Sequence, residues 1–305
     1  MKLLHRLCFG LSVLALFAHQ HVCADFSQKL DVQTRVDDRS NRDIRYQYRL
    51  RYYPQYNIDD EWSVNAFVVT GDDFASSHNT FDDGAADYFY IRRAFVRHVS
   101  DYGKTEFGII PTFKGRVSST GLSKDGWIQG VRHVRQVGQS NQLEVVIGKL
   151  DELDPAKALN VADTIDYVEI EYSARMGKRS SYEVSLERMT QANFVRFEFR
   201  YRLFEQHTVF NEWVKRAENS QSKVVVGVEG EWTVFDQPLE YFAYYSYVSD
   251  DFGLRAELTE DFLDVGNGFS SEISADFAQT DLSWFVRFDW VEEQSRWLAG
   301  LAWSW

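Results

Sequence analysis

The sequence predicts an all-β chain that closes into a transmembrane antiparallel β-barrel of about sixteen strands, with fourteen as the alternative count. Apolar and polar residues alternate with a period of two in many segments, the first at 29–36 and the last at the C terminus. Long and short links between the alternating segments also take turns along the chain. After residue 25 no apolar run approaches the roughly eighteen residues of a membrane helix.

The first residues predict a cleaved secretory signal peptide that spans 1–24. Lys2 and Arg6 make its start basic, an almost unbroken apolar run follows, and Ala24 ends a small-x-small cleavage motif. Both cysteines of the chain lie in this segment. We therefore expect residues 25–305 to form a single outer-membrane β-barrel domain without disulfides.

Each predicted strand has one apolar and one charged face. Tyr46, Tyr48 and Leu50 alternate with Arg45 and Arg49, which no helix could sort into one apolar face. The same pattern recurs in residues 29–36, 195–202, 239–247, 284–290 and 297–305. These segments are about ten residues long, the length that a tilted strand needs to cross a bilayer.

The links between the strands fit a membrane barrel with both termini on one side. Links after odd strands are long and polar, at 71–87, 112–126, 151–164 and 249–269, and links after even strands are short, as at 100–103, 204–207 and 234–238. Long outer loops and short periplasmic turns are typical of outer-membrane barrels. Short odd links near Asp37 and Gln191 keep the count of fourteen open.

The charged face must line a lumen if the apolar face touches lipid. An Arg at mid-bilayer costs about 2 to 4 kcal/mol, so the wrong orientation of Arg45, Arg49 and Arg51 together would cost roughly 6 to 12 kcal/mol. The predicted pore-lining residues are Arg45, Arg49, Arg51, Arg93, Arg97, Glu169, Glu171, Glu183, Glu187, Arg196 and Arg200.

The basic residues come from the first strands and the glutamates from the eighth and ninth, which face each other across a ring of sixteen. This separation predicts a transverse field that orients polar solutes in a water-filled channel. Arg196 and Arg200 disturb the separation, and we expect them to pair with Glu187 and Glu198. An interior plugged by such ion pairs is the alternative.

The C-terminal strand, which ends on Trp305, resembles the targeting signal of bacterial outer-membrane proteins, and this implies the barrel-assembly machinery as a partner. Residues 90–95 (YIRRAF) and 104–108 (KTEFG) resemble part of the phosphate-selective porin O/P group. That resemblance implies a porin-like barrel in the outer membrane. The third outer loop of general porins folds inward, so the resemblance makes Lys114 and Arg116 candidates for a constriction, with an exposed loop as the alternative.

The composition excludes some functions. With 33 Lys+Arg against 46 Asp+Glu the net charge is -13, which argues against binding to nucleic acid. No glycine loop for phosphate and no Cys/His metal spacing is present, so we predict no cofactor and no metal. Acidic pairs in the loops are interpreted as hydrated tips, although carboxylates also suit calcium.

Two other functions stay open as alternatives. His98 and Ser100 are spaced as in outer-membrane phospholipases, but Asp101 and Tyr102 follow the serine where that family has Asn and Gly. A soluble periplasmic β-sheet binding protein would also alternate, yet sixteen strands in one open sheet would leave edges that closure removes. We predict no enzyme and a passive channel for small hydrophilic solutes or ions, and a homotrimer stays open.

Overall fold

The computed structural model describes residues 25–71, 78–81, 88–110, 128–150, 160–253, 262 and 265–305. Within these residues the chain is all strand and turn, and none of its segments is a helix long and apolar enough to cross a membrane. The strands are β1 (Asp25–Arg39), β2 (Arg42–Asn57), β3 (Trp62–Gly71), β4 (Asn79–Thr80), β5 (Tyr88–Ser100), β6 (Gly103–Ile110), β7 (Ile128–Gln136), β8 (Gln142–Lys149), β9 (Tyr167–Met176), β10 (Ser180–Met189), β11 (Ala192–Phe204), β12 (His207–Arg216), β13 (Ser222–Val234), β14 (Gln237–Val248), β15 (Gly266–Asp276), β16 (Leu282–Val291) and β17 (Gln294–Ser304).

Antiparallel pairing closes the sheet on itself. Each strand pairs with its neighbours in the chain, and β1 pairs with both β2 and β17, so that Val36 lies between Tyr46 and Ala299. The two-residue β4 continues the pairing along β2 beyond the end of β3 and does not span the barrel. Sixteen strands therefore span it, which confirms the predicted fold and the count of sixteen. Among the described strands, each of the sixteen that span the barrel pairs on both sides, as closure requires.

The links divide the barrel into two ends. Asp25 and Trp305 lie at one end, here called the terminal end, where every link is short, as at 58–61, 101–102 and 235–236. The opposite end, the loop end, carries the four long links, at 72–87, 111–127, 150–166 and 249–265. All four long links lie at the predicted end, but the alternation is only partly confirmed, because four of the eight links at the loop end are short, at 40–41, 190–191, 217–221 and 292–293. The prediction missed β4, because a two-residue strand inside a polar link has no periodicity.

Side chains alternate between two faces of the closed sheet. Tyr46, Val286 and Leu301 are 56%, 41% and 44% exposed on the outer face. Exposed aromatic rings gather on that face near both ends of the strands, at Trp62, Trp232 and Trp303 toward the terminal end and at Tyr46, Trp290 and Trp297 toward the loop end. Such paired girdles are typical of barrels in a bilayer.

A β-bulge interrupts the alternation on β5. Phe67 of β3 pairs with Arg93 and Val68 pairs with Ile91, which leaves Arg92 as the extra residue. A bulge re-aims a side chain locally. Arg92 is accordingly buried, and the guanidinium of the adjacent Arg93 lies 4.9 Å over the Phe67 ring on the inner face.

Candidate functional site

The inner face of β1 and β2 is basic and gathers around one carboxylate. Asp37 is fully buried, and its carboxylate accepts hydrogen bonds from Arg39 at 3.2 Å, Arg42 at 2.5 Å and Arg45 at 3.3 Å. These four residues are called the Asp37 cluster. Its one carboxylate serves three guanidinium groups, so the local charge stays positive.

Three further arginines line this wall toward the terminal end. Arg35 donates from Nε to the amide oxygen of Gln47 at 2.9 Å, and Arg51 lies 3.5 Å from Asp31. Arg49 is on the same face, two residues from each of Gln47 and Arg51 along β2. The predicted pore residues Arg45, Arg49 and Arg51 thus share the face that alternates with the exposed Tyr46.

The wall from β5 to β8 carries a chain of ion pairs. Arg97 contacts Glu106 at 2.9 Å, and Arg132 bridges Glu106 at 3.4 Å and Glu144 at 2.9 Å. Glu144 is the register partner of Glu171 on β9. This chain connects the basic wall to the acidic one.

The inner face of β9 to β12 is acidic and gathers around one guanidinium. Arg196 is fully buried and contacts four glutamates: Glu171 and Glu183 at 3.3 Å, Glu212 at 2.5 Å, and Glu198. These five residues are called the Arg196 cluster. Cross-strand register places Glu198 directly opposite both Glu183 and Glu212. Like charges in that position repel, and the shared guanidinium offsets the repulsion.

Other predicted residues of this wall have polar partners. Glu169 and Glu187 are register partners, both buried, and accept hydrogen bonds from Tyr167 at 2.6 Å and Ser185 at 2.8 Å respectively. Arg200 contacts Glu198 at 2.7 Å and Glu229 at 2.5 Å. The expected pairing of Arg196 and Arg200 with Glu198 is present.

A third buried centre lies on β16 and β17, and sequence reasoning missed it. Asp289 accepts hydrogen bonds from Arg287 at 2.9 Å, Arg296 at 2.6 Å and Ser270 at 2.6 Å. The alternation of charge in the last two strands predicted an inner face there. Which carboxylate meets which guanidinium depends on cross-strand register, which no single strand encodes.

Apolar side chains cover part of the inner face at the loop end, which was not predicted. Ile110, Ile128 and Leu150 are completely or almost completely buried in a cluster that also contains Phe252 and Phe262 of the link after β14. Phe252 packs on Phe194 with ring centroids 5.5 Å apart. The Phe262 ring lies 4.7 Å from the guanidinium of Arg296 and 5.4 Å from that of Arg39. Phe252 therefore contacts β11, and Phe262 contacts β17 and β1.

Two adjoining cavities open on the inner face. One of about 360 Å³ is lined by Gln33, Arg35, Arg49, Ser283, Arg287 and Arg296, among others. The other, of about 470 Å³, is lined by Arg202, Glu205, Glu229, Glu231, Glu240 and Tyr241, among others. Glu272 and Ser274 line both cavities, so the two are adjacent.

The other candidates from the sequence are the phospholipase-like pair and the two constriction residues. Ser100 donates to the carbonyl of Gly103, and His98 lies 3.4 Å from Glu61. The two residues therefore do not form the hydrogen-bonded pair that a serine nucleophile and its base would need. Lys114 and Arg116 lie outside the described residues. No group of three or more His, Asp or Glu among the described residues is arranged to hold a metal ion.

No known family and no curated protein matches this sequence. Solved structures do match. The chain has the fold of a bacterial porin. An engineered variant of the porin of Rhodopseudomonas blastica aligns over 92% of this chain and 100% of its own with a TM-score of 0.64 at 12% identity. A triple mutant of the same porin covers the same shares with a TM-score of 0.63 at 11% identity. A structure described as showing asymmetric conductivity of engineered proteins gives 0.62 at 12% identity and the same coverage.

Proposed function

We propose that the protein is a porin-like channel of the outer membrane through which small hydrophilic solutes and ions diffuse passively. The observation that carries this proposal is a closed barrel of sixteen spanning strands with an apolar exposed face and a charged inner face that holds two adjacent cavities. A barrel of this strand number is wide enough for an aqueous channel, whereas about eight strands would be filled by side chains.

The two charged walls give the channel its selectivity. The second spanning strand, β2, carries Arg45, Arg49 and Arg51, and the tenth, β11, carries Arg196, so eight of sixteen steps around the ring separate them. A field directed from the basic to the acidic wall orients dipolar solutes during passage. Arg93, Arg97, Glu169, Glu171, Glu183, Glu187 and Arg200 belong to these walls.

The link at 111–127 narrows the channel, and Lys114 and Arg116 contribute to the constriction. The wall beside it supports this role. Gly108, Gly130 and Gly148 are successive register partners on β6, β7 and β8, so these three positions add no side chain to the inner face. A Cβ atom on Gly130 would lie 2.1 Å from the carbonyl oxygen of Ile147. The glycine row leaves room for an inward-folded segment, and the neighbouring Ile110 and Ile128 give it an apolar surface.

The remaining parts of the proposal concern delivery and assembly. Residues 1–24 are a signal peptide that is removed, residues 25–305 are the barrel, and Trp305 at the end of the closing pair of strands is the signal for the barrel-assembly machinery. Membrane lipid covers the exposed girdle, and the barrel assembles as a homotrimer. A phospholipase function is not supported, because the hydroxyl of Ser100 is bonded to Gly103.

Planar-bilayer recording of the purified protein tests the channel. We expect stepwise conductance, and the triple variant Arg45→Ala, Arg49→Ala, Arg51→Ala should shift the reversal potential in a salt gradient toward cation preference, because positive charge leaves the basic wall. Lys178→Ala, on an exposed turn at the terminal end, is the matched control and should not shift it. An absence of current in every condition would end the channel proposal, and an unchanged reversal potential would reject the basic wall.

A further inference from the structure

The two adjacent cavities differ in the sign of their charge. The smaller one, here called the arginine cavity, has four guanidinium groups on its wall, and Glu272 is the carboxylate among the lining residues. The larger one, here called the glutamate cavity, has five glutamates and the single guanidinium of Arg202 on its wall. Their volumes, about 360 and 470 Å³, lie in the range of small-molecule sites.

The glutamate cavity contains a like-charge pair that a cation would relieve. Glu231 and Glu240 are direct register partners on β13 and β14. The Glu231 carboxylate accepts a hydrogen bond from the amide of Gln206 at 3.2 Å, and the Glu240 carboxylate has no hydrogen bond or ion pair to another described residue. Carboxylates placed directly opposite each other repel. An ammonium group between them would satisfy both.

The arginine cavity offers donors to an anion. Arg35 and Arg49 project from β1 and β2 beside the amide of Gln33 and the hydroxyl of Ser283. Guanidinium groups bind planar carboxylates with two parallel hydrogen bonds. Arg287 and Arg296 on the same wall are held by Asp289, so they add positive potential from fixed positions.

One lateral row connects the charges. Glu231, Glu240, Ser274, Phe285, Gly300 and Arg35 are successive register partners on β13, β14, β15, β16, β17 and β1. Four strand spacings of about 4.8 Å, or roughly 19 Å, separate Glu240 from Arg35 along the wall. Between these two residues few side chains project into the lumen. Gly300 has no side chain, and the Phe285 ring lies over it, so that a Cβ atom on residue 300 would be 2.6 Å from the ring.

From this arrangement we infer that the lumen binds short zwitterionic peptides, with the carboxylate at Arg35 and Arg49 and the ammonium group between Glu231 and Glu240. The peptide backbone crosses Phe285. Three residues at about 3.5 Å each cover roughly 10 Å, and the Arg and Glu side chains bridge the rest. This inference rests on the proposed channel function, because the site must be reached through the lumen.

Three probes of the same length test the inference without any mutation. Calorimetric titration of the full-length protein in detergent uses trialanine, N-acetyl-trialanine and trialanine amide, which are a zwitterion, an anion and a cation. We expect the dissociation constant of trialanine to be at least tenfold lower than that of either blocked peptide, because each blocked form loses one end. Equal affinity for trialanine and one blocked form would overturn the inference, as would no binding of trialanine.

Two double variants assign the ends. Arg35→Gln with Arg49→Gln should abolish the preference for trialanine over its amide and keep the preference over the N-acetyl form. Glu231→Gln with Glu240→Gln should do the reverse. Lys178→Gln and Glu293→Gln, on exposed turns, are the controls and should change neither ratio. A double variant that lowers the preference over the amide and the preference over the N-acetyl form equally would contradict the assignment of the two ends.

A conductance measurement distinguishes a failure of the peptide-site inference from a failure of the channel proposal. A protein that conducts ions but treats the three probes alike remains a channel without the peptide site. A protein that shows no current loses the proposed function, whatever the calorimeter reports.

Discussion

The Asp37 cluster and the Arg196 cluster each hold several like charges around one central charge, and the two central charges have opposite signs. On β1 and β2 one buried carboxylate holds three arginines, and on β9 to β12 one buried guanidinium holds four glutamates. In each cluster a single minority charge keeps a wall of like charges together. Both central residues are completely buried, and the clusters differ in the depth of the surrounding charges. The side chains of Arg42 and Arg45 are about 29% exposed, whereas those of the four glutamates are at most 13% exposed.

This comparison teaches that the field across the lumen and the stability of its walls depend on different residues. The several like charges of each cluster set the sign of the electrostatic potential at that wall. The single central residue of opposite charge stabilises the wall by offsetting their repulsion. Removing one partner of a buried ion pair is far more costly than replacing the whole pair by apolar residues, because the remaining charge stays buried.

Arg196→Met should have the largest effect. The substitution keeps the volume of the side chain but leaves four glutamates without their shared cation, so we expect a loss of about 3 to 5 kcal/mol in the free energy of unfolding. Urea unfolding of the barrel in lipid vesicles measures it. Arg188→Met, at an exposed position on β10, is the matched control.

The origin of that loss can be separated by a second variant. Arg196→Met combined with Glu198→Gln and Glu212→Gln should regain stability relative to Arg196→Met alone, because two of the uncompensated charges are removed. A combined variant that is no more stable would show that packing, not charge, explains the cost.

Asp37→Asn should have an intermediate effect. The amide keeps the shape of the carboxylate but not its charge, so Arg39, Arg42 and Arg45 repel one another. Because two of these arginines are partly solvated, we expect a loss of about 1 to 3 kcal/mol in the same unfolding measurement. A cost equal to or above that of Arg196→Met would contradict the role of depth in the comparison. Asp38→Asn, exposed and next in sequence, is the control.

Phe262→Leu should have the smallest effect. Its ring lies against Arg39, which belongs to the Asp37 cluster, and against Arg296. Leucine retains apolar contact but loses the face of the ring, so we expect about 1 kcal/mol from the cation-π contacts. Phe235→Leu, on a turn where the ring is almost fully exposed, should cost nothing measurable.

The sequence predicts the architecture well because every spanning strand encodes its own two faces. Tyr46 against Arg45 is a local signal, and sixteen such signals, with every long link at one end, predict a closed barrel. The bulge on β5 also has a local signal, since Arg92 and Arg93 are adjacent polar residues within an alternating strand.

Features that depend on contacts between distant strands were not predictable in this way. The four glutamates around Arg196 come from four strands, and their meeting depends on register rather than on any one segment. Phe252 and Phe262 belong to an acidic link without periodicity, so nothing local marks them as inward. The pairing of walls and the covered loop end are therefore properties of the assembled barrel.

Accessibility of two neighbouring positions tests the central claim most directly. Ser274 lines both cavities, and the adjacent Ile273 is 42% exposed on the outer face. In a background with Cys8 and Cys23 replaced by serine, Ser274→Cys and Ile273→Cys are each treated with a water-soluble maleimide in lipid vesicles. We predict that the cysteine at 274 is labelled and the one at 273 is protected by lipid. Labelling at 273 with protection at 274 would contradict a water-filled lumen inside an apolar wall.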